Sequence, residues 1–295
     1  RQVNNTEIDH NQIKNGGTLL FEMSDKPVST SNNNISREDS LLKTDFVPTP
    51  FISTEQRIFE DSIVINIGSS KINNLKQRLY FSINNGLWQD YIHPFTIHET
   101  STVSVKASGF PNISDTTHNE KIAQYWSPVV KSLFSKRDPS VSLKLETQYA
   151  NQYAASGPNT LIDGVRGGAD FRTGDWQGYF GKDLNAVVSF EEARELTSIG
   201  ISCIRDIKSW IFFPERIGIS YSLDGINYRA LPDLSYAKAT KDDYEPKIKT
   251  CIRKFIPPTK IKYIKYKVYN PGKCPSWHLG SGNDSWIFLD EFLYR

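Results

Sequence analysis

The sequence predicts an all-β protein built from two consecutive β-sandwiches. Three observations lead there. Aromatic residues make up 12% of the 295-residue chain, while methionine occurs once. That balance favours pleated, half-buried surfaces over helices. Short apolar–polar alternations recur along the chain with Asn, Asp and Gly between them, which is period-two patterning punctuated by turns. Strands are followed by further strands, with no βαβ alternation that would build a parallel sheet.

Residues 1–45 read as a polar lead-in. Gly17-Thr-Leu-Leu-Phe-Glu-Met23 follows the turn signal Asn15-Gly16-Gly17 and is a strand candidate. After Pro27 the run VSTSNNNISREDS is too polar to pack and is expected to be an exposed, mobile linker. A lone strand has no partner for its backbone groups, so this segment is expected to be the tail of a domain outside the chain. Pro48-Thr-Pro50 then makes a stiff entry to the first sandwich, residues 46–135. Its strands are Ser62-Ile-Val-Ile-Asn-Ile67, Arg78-Leu-Tyr-Phe-Ser-Ile83, Phe95-Thr-Ile97 and Thr102-Val-Ser-Val-Lys-Ala107, closed by Ala123-Gln-Tyr-Trp126. Asn84-Asn85-Gly86 is the turn after the second of these. Strands this short and regularly spaced make an immunoglobulin-like sandwich.

The second sandwich is expected over residues 136–295. Its strands are Ser142–Glu146, Asn185–Phe190, Ser198–Ser202, Arg216–Ser222, Lys249–Ile256, Ile261–Tyr269 and Trp286–Phe292, with at most one short helix near Gln148–Ala155. Asp224-Gly225 is a strong hairpin signal. Seven or eight antiparallel strands here fit a jelly-roll-type sandwich, whose short strands bury a core only if two sheets face each other.

Several function classes fall away on composition. A net charge of +2 gives no argument for nucleic acid or an anionic membrane. The lysines between Lys247 and Lys267 alternate with Ile, Tyr and Phe, which places them on the wet face of a strand. No apolar run is long enough to span a membrane. Cys203, Cys251 and Cys274 lack zinc-site spacing and are expected to be free, mostly buried thiols. At most one bridge can form, and Cys251 with Cys274 is the pair on offer. The chain begins at Arg1 without Met or a signal-like core, so it is expected to be a piece of a longer or processed protein.

One stretch stands apart. Thr160–Asp183 carries six of the chain's eighteen glycines, with Asp163, Asp170, Asp175, Arg166, Arg172, Phe171, Trp176, Tyr179 and Phe180 among them. Such a backbone must turn sharply several times. Side-chain oxygens and carbonyls crowded in turns are what a hard cation needs, and flat aromatic faces suit a sugar ring. An ordered loop with its aromatics in the core is the plainer alternative.

Separated motifs in this half resemble a known family. Leu161-Ile-Asp-Gly164, Trp176, Phe213–Gly225 and Phe288-Leu-Asp-Glu-Phe292 are similar to the coagulation-factor type C, or discoidin, fold, which includes carbohydrate-binding module family 32. LIDGVRGGADFRTGDWQGY, SWIFFP and WHLGSGNDSWIFLDE resemble the C-terminal module of large secreted glycoside hydrolases of Bacteroidetes. Residues 46–135 resemble the chitobiase and hexosaminidase C-terminal domain through Arg78–Gly86 and Thr102–Ala107, with Asn84-Asn85-Gly86 replacing its usual Thr-Asp-Gly turn. Ile13–Pro27 looks like the last strand of the catalytic region of family 92, the calcium-dependent α-mannosidases. Family 20 hexosaminidases compete for that parentage.

The resemblance implies a non-catalytic accessory region of a secreted, periplasmic or cell-surface glycosidase, bound to an upstream catalytic domain of the same polypeptide. It implies a calcium site at Leu161, Asp163, Gly168, Thr173 and Glu291. The insertion GVRGGADFRTG is longer than the family's loop, which leaves open which carbonyls point inward. Arg166, Phe171, Arg172, Trp176, Trp210, Phe212, Trp277 and His278 are the candidates for a glycan face that would take mannose- or N-acetylhexosamine-containing chains. His278 reads first as a structural tie, because no second His or Cys stands at metal spacing. Asp206, Asp242, Asp243 and Glu245 are expected on solvated loops, and no carboxylate pair singles out a general acid and a base. The alternatives are a purely structural spacer of a hexosaminidase, with apolar surface patches around Gly17–Met23 and on the first sandwich, and an adhesion-type discoidin module with exposed apolar loop spikes.

Overall fold

The computed structural model describes residues 46–295, apart from residues 55, 72–74 and 112–124, together with His10, Lys14 and Thr18. The chain divides into Arg1–Asp45 and Phe46–Arg295. The strand expected at residues 17–23 lies, Thr18 apart, outside the described residues. Within Phe46–Arg295 the described structure is all β, with short 3-10 turns as its helices. The helix expected near Gln148–Ala155 is one of these, Asn151–Tyr153. Among the described residues no helix is long and apolar enough to cross a membrane.

The first sandwich contains β1 (Phe51–Ser53), β2 (Ile58–Phe59), β3 (Ile63–Gly68), β4 (Leu75–Ile83), β5 (Gln89–Asp90), β6 (Phe95–Ile97), β7 (Ser101–Pro111), β8 (Tyr125–Trp126) and β9 (Val130–Lys136). One sheet has the order β1-β3-β6; the other runs β2-β9-β7-β4-β5, with β8 also on β7. Alternation decides what fills the space between. Ile65, Ile67 and Ile97 of the small sheet meet Phe81, Val103, Val105 and Phe134 of the large one, while Val64 points out to solvent. Asn84 and Asn85 both have positive φ, 51° and 58°, the left-handed pair that a tight hairpin turn demands. The expected closing strand needs correction. Of that strand residues 123 and 124 lie outside the described residues and Tyr125–Trp126 form β8; the last strand of the sandwich is β9, between β7 and β2, whose sequence VKSLFSK hides it because lysines and serines dilute the apolar residues.

The second sandwich contains β10 (Val141–Leu145), β11 (Gln177–Phe180), β12 (Leu184–Arg205), β13 (Arg216–Ser222), β14 (Arg229–Ala230), β15 (Leu234–Ser235), β16 (Lys247–Tyr269) and β17 (Trp286–Tyr294). They form one antiparallel sheet in the order β11-β17-β12-β16-β13-β14, with β10 on β12 and β15 on β13. Two pairs of expected strands are each one long strand, β12 of 22 residues and β16 of 23. Register shifts between Ser189 and Arg194 and between Leu196 and Ser198 bend the pair. The front of β12 therefore pairs with β10 and its rear with β17. The sheet thus folds over a single core that includes Val188, Ile201, Ile219, Leu289 and the stacked rings of Tyr266 and Phe292, 3.9 Å apart.

The shift in β16 also changes which side chains face in. From Ile264 the expected alternation holds, with Ile264, Tyr266 and Val268 buried and Lys265 and Lys267 exposed. Before it the pattern reverses. Cys251, Arg253 and Phe255 turn inward while Ile248 and Ile252 are exposed. Five steps along β12, from Ser189 to Arg194, are matched by two along β16, from Tyr263 back to Ile261. An odd excess flips the face. All three cysteines are free, Cys203 and Cys274 buried and Cys251 half-buried; Cys251 and Cys274 do not pair.

Candidate functional site

The glycine-rich stretch is wound around two anchors. The first is Trp176, 1% exposed, which packs with Phe171, Ile204, Ile211 and Phe288. Its indole N–H donates to the Gly168 carbonyl at 2.9 Å. Gly167 lies flat on the ring, where a Cβ would fall 2.2 Å from it; only glycine fits there. The second anchor is the carboxylate run that closes β17. Asp290, fully buried, accepts from the Gly167 N–H at 2.9 Å and from Arg166 Nε at 3.0 Å. Glu291 accepts from the Gly164 N–H at 3.1 Å.

Asp163 completes this arrangement. Its side chain is buried, accepts from the Val165 N–H at 2.8 Å and takes a hydroxyl hydrogen bond from Ser156. Burial pushes its carboxyl up to about 6. Burial, reinforced by the nearby Asp163, pushes Glu291 up to about 9. Two desolvated carboxyls flanking one glycine are a place where a cation would restore lost solvation. Asp163 and Glu291 thus fit the expected ion, and Leu161 is buried just before them in the 3-10 turn Thr160–Ile162. Gly168 and Thr173 have other partners. The Gly168 carbonyl is taken by Trp176, and the Thr173 hydroxyl bonds to the Asp170 carbonyl and Asp175, each at 3.0 Å. Among the described residues no group of three or more acidic, His or Cys side chains gathers around a metal position, so further ligands would have to be carbonyls or water.

This loop also meets the first sandwich. Arg57 forms an ion pair with Asp175. Gly164 has φ +76°, and a Cβ there would fall 2.6 Å from the Ser135 hydroxyl of β9. Gly164→Ala is expected to cost roughly 1–3 kcal/mol, measured by chemical denaturation. A loss under half a kcal/mol would show that the contact yields freely.

The glycan candidates separate into two groups. Phe171 and Trp176 are core and present no face; the expectation that they stack on a sugar is corrected on that ground. Arg166 is pinned by Asp290 and reaches Thr250 Oγ1 at 3.2 Å. Arg172 is exposed and paired with Asp170 at 2.8 Å. The other four assemble elsewhere, where the loop before β17 wraps over the turn Ile207–Ser209. His278 Nδ1 accepts from the Gly280 N–H at 3.0 Å, so its Nε2 carries the hydrogen and donates to the Ile207 carbonyl at 2.6 Å. Both ring nitrogens are thus used in tying the loop. Trp210 is half-buried beneath Gly280, and Phe212 is buried against Ile207 and Cys274. Trp277 lies beside Phe212, centroids 6.5 Å apart, and is 39% exposed.

Trp277 borders a cavity of about 340 Å³ with Arg205, Phe213, Glu215, Tyr236 and Lys273. Arg205 is nearly buried, pairs with Asp243 at 2.6 Å and lies over the Phe213 ring. Among the described residues its Nε has no partner, and neither has Asp206 Oδ1. Asp206 is buried and closes the turn through Ser209, contrary to its expected place on a solvated loop. Asp243 is partly exposed.

No family model and no curated protein matches the chain. Among solved structures it is similar to the first family 32 carbohydrate-binding module of a family 31 glycoside hydrolase from Clostridium perfringens, at 18% identity over 53% of this chain and 96% of that one, TM-score 0.31. It is similar also to the C-terminal domain of a chitobiase from Bacteroides fragilis, at 12% identity over 55% and 96%, TM-score 0.31. A third is the family 32 module of Clostridium perfringens NanJ in complex with galactose, at 14% identity over 52% and 93%, TM-score 0.33.

Arg205, Tyr236 and Lys273 were not singled out from the sequence. They come from three separate segments, the end of β12, the residue after β15 and the loop after β16, which the sheet order β12-β16-β13 with β15 on β13 brings to one end. The one available signal was Arg205 directly after the mostly apolar run Ile199-Gly-Ile-Ser-Cys-Ile204.

Proposed function

We propose that this chain is a non-catalytic accessory region of a secreted glycoside hydrolase, and that its second sandwich takes a glycan in the cavity beside Trp277. The observation that carries the reading is a half-open indole on a small cavity walled by Phe212, Phe213 and Tyr236 and edged by Arg205, Glu215 and Lys273. Apolar walls with a few charged groups at the rim suit a sugar, which has a C–H face and hydroxyl edges. Glu215 is the one carboxylate lining the cavity, whereas glycoside hydrolysis uses two. In this reading residues 1–45 end an upstream catalytic domain of α-mannosidase or hexosaminidase type. Residues 46–135 and 136–295 are the appended sandwiches. A structural calcium ion between Asp163 and Glu291 would neutralise their charge and hold the glycine-rich loop.

Titration calorimetry with mannose, galactose and N-acetylgalactosamine oligosaccharides tests it. Binding is expected, weakened about tenfold by Trp277→Ala, the equivalent of about 1.4 kcal/mol. No heat from any of these sugars would retire the reading. A second reading, adhesion to a lipid surface, is favoured by Leu279, fully exposed two residues from Trp277. Co-sedimentation with phosphatidylserine vesicles that Leu279→Ser abolishes would select it.

A further inference from the structure

We propose a second carbohydrate-binding surface, on the outer face of the first sandwich and centred on Lys106. This goes beyond the cavity at Trp277 and shares no residue with it. Along β7, Val103, Val105 and Ala107 fill the core, so Lys106 between them is carried to the opposite face. Register places its neighbours. Tyr80 of β4 stands opposite Lys106 on one side and opposite Asp90 of β5 on the other. A carboxylate, a phenol and an ammonium therefore lie in one row across three strands.

Two indoles close on that row. Lys106 Nζ lies 4.3 Å from the Trp88 ring centroid and 4.2 Å from that of Trp126. Tyr80 tilts against Trp126 with centroids 5.3 Å apart. Both indoles remain open to solvent, Trp88 at 40% and Trp126 at 46%. On the same side of β7, Ser104 and Ser108 flank Lys106 with buried hydroxyls that have no partner among the described residues. Among the described residues the Lys106 ammonium makes no ion pair; its contacts are the two rings.

The chemistry narrows the occupant. The ammonium already fills the space between the two π faces, so an external cation finds no aromatic cage. The apolar surface is interrupted by Lys106 and bordered by Asp90, which suits a wholly apolar partner poorly. A pyranose ring fits both features. Its C–H face meets an exposed indole, and its hydroxyls reach the ammonium, the phenol and the Asp90 carboxylate. Because Lys106 holds both rings in place before binding, little side-chain freedom is lost when a sugar arrives.

The test uses the full chain and four probes: linear hexamers of β-1,4-glucose, β-1,4-N-acetylglucosamine and α-1,4-galacturonic acid, and an α-1,2-mannose trimer. Tryptophan fluorescence and calorimetry read binding, and melting temperature reports folding of each variant. At least one probe is expected to bind. Trp88→Ala and Trp126→Ala should each weaken it tenfold or more, Lys106→Met severalfold and Trp88→Phe less than threefold, while Ile226→Ser, at an exposed turn of the second sandwich, leaves it unchanged. A preference for the galacturonic acid hexamer would make the ligand acidic; equal binding of a neutral hexamer would make the ring face the determinant. The proposal is overturned if no probe binds. It is overturned equally if Trp277→Ala removes binding while Trp88→Ala and Trp126→Ala retain it, or if these two variants instead dissolve a dimer seen by sedimentation. Binding that survives Trp277→Ala but not Trp88→Ala leaves the Trp277 cavity to be judged by its own titration.

Discussion

Trp176→Ala is expected to destabilise the protein by about 3–5 kcal/mol, among the largest effects of any single substitution here. Trp176 is among the largest fully buried side chains in the molecule. Its removal leaves a cavity between Phe171, Ile204, Ile211 and Phe288, and the lost contacts cannot be recovered by collapse because Gly167 offers no side chain to move in. The Gly168 carbonyl also loses its donor, a further cost of about 1–3 kcal/mol where burial persists. Trp176→Phe separates the two terms, since it keeps most of the volume but not the N–H. Denaturant midpoints for both variants provide the measurement. If alanine costs less than 1 kcal/mol, the loop is not organised around this ring.

Alternation and turn chemistry made most of the strands legible. Val103, Val105 and Ala107 were bound to share a face, and the positive φ at Asn84, Asn85 and Gly225 matches the turns read from Asn-Asn-Gly and Asp-Gly. Asp224 explains why its turn is so firm, for its carboxylate accepts from the N–H groups of Ile226 and Asn227, each at 2.8 Å. What escaped depends on long-range register. Nothing local says that Phe190 and Ser198 belong to one bent strand, or that β16 reverses its inward face at the bend. Aromatic residues were equally ambiguous. Trp176 and Trp277 look alike in sequence, and only tertiary packing buries one and opens the other. The row at Lys106 was closer to readable, since the parity of both Arg78–Ile83 and Thr102–Ala107 sends Tyr80 and Lys106 outward. The missing information was that Trp88 and Trp126 arrive from either side.

In chelator, the protein is expected to become more stable as the pH falls from 8 to 5, and calcium is expected to remove that dependence. Asp163 titrates at about 6 in the fold against an ordinary 3.8, and Glu291 at about 9 against 4.5. Both are raised chiefly by burial, so the folded state holds protons that the unfolded chain has already released. Stability from these groups is complete below pH 4 and is lost as the pH climbs through the window from about 4 to 9. Each unit of difference corresponds to about 1.4 kcal/mol, so the change between pH 5 and 8 should reach a few kcal/mol. A calcium ion binding the ionised pair reverses the preference, because it stabilises the charged form that burial penalises. Calcium should therefore raise the melting temperature most at pH 8 and least at pH 5. Glu291→Gln should flatten the upper part of the chelator profile and abolish the calcium response together, whereas loss of a merely structural hydrogen bond to Gly164 would lower stability by a similar amount at every pH. Melting curves at pH 5, 6, 7 and 8, with chelator and with calcium, decide the matter. A flat chelator profile would show that the two carboxyls are solvated in solution. A sloping profile that calcium leaves untouched would show that the pair stays protonated and binds no ion.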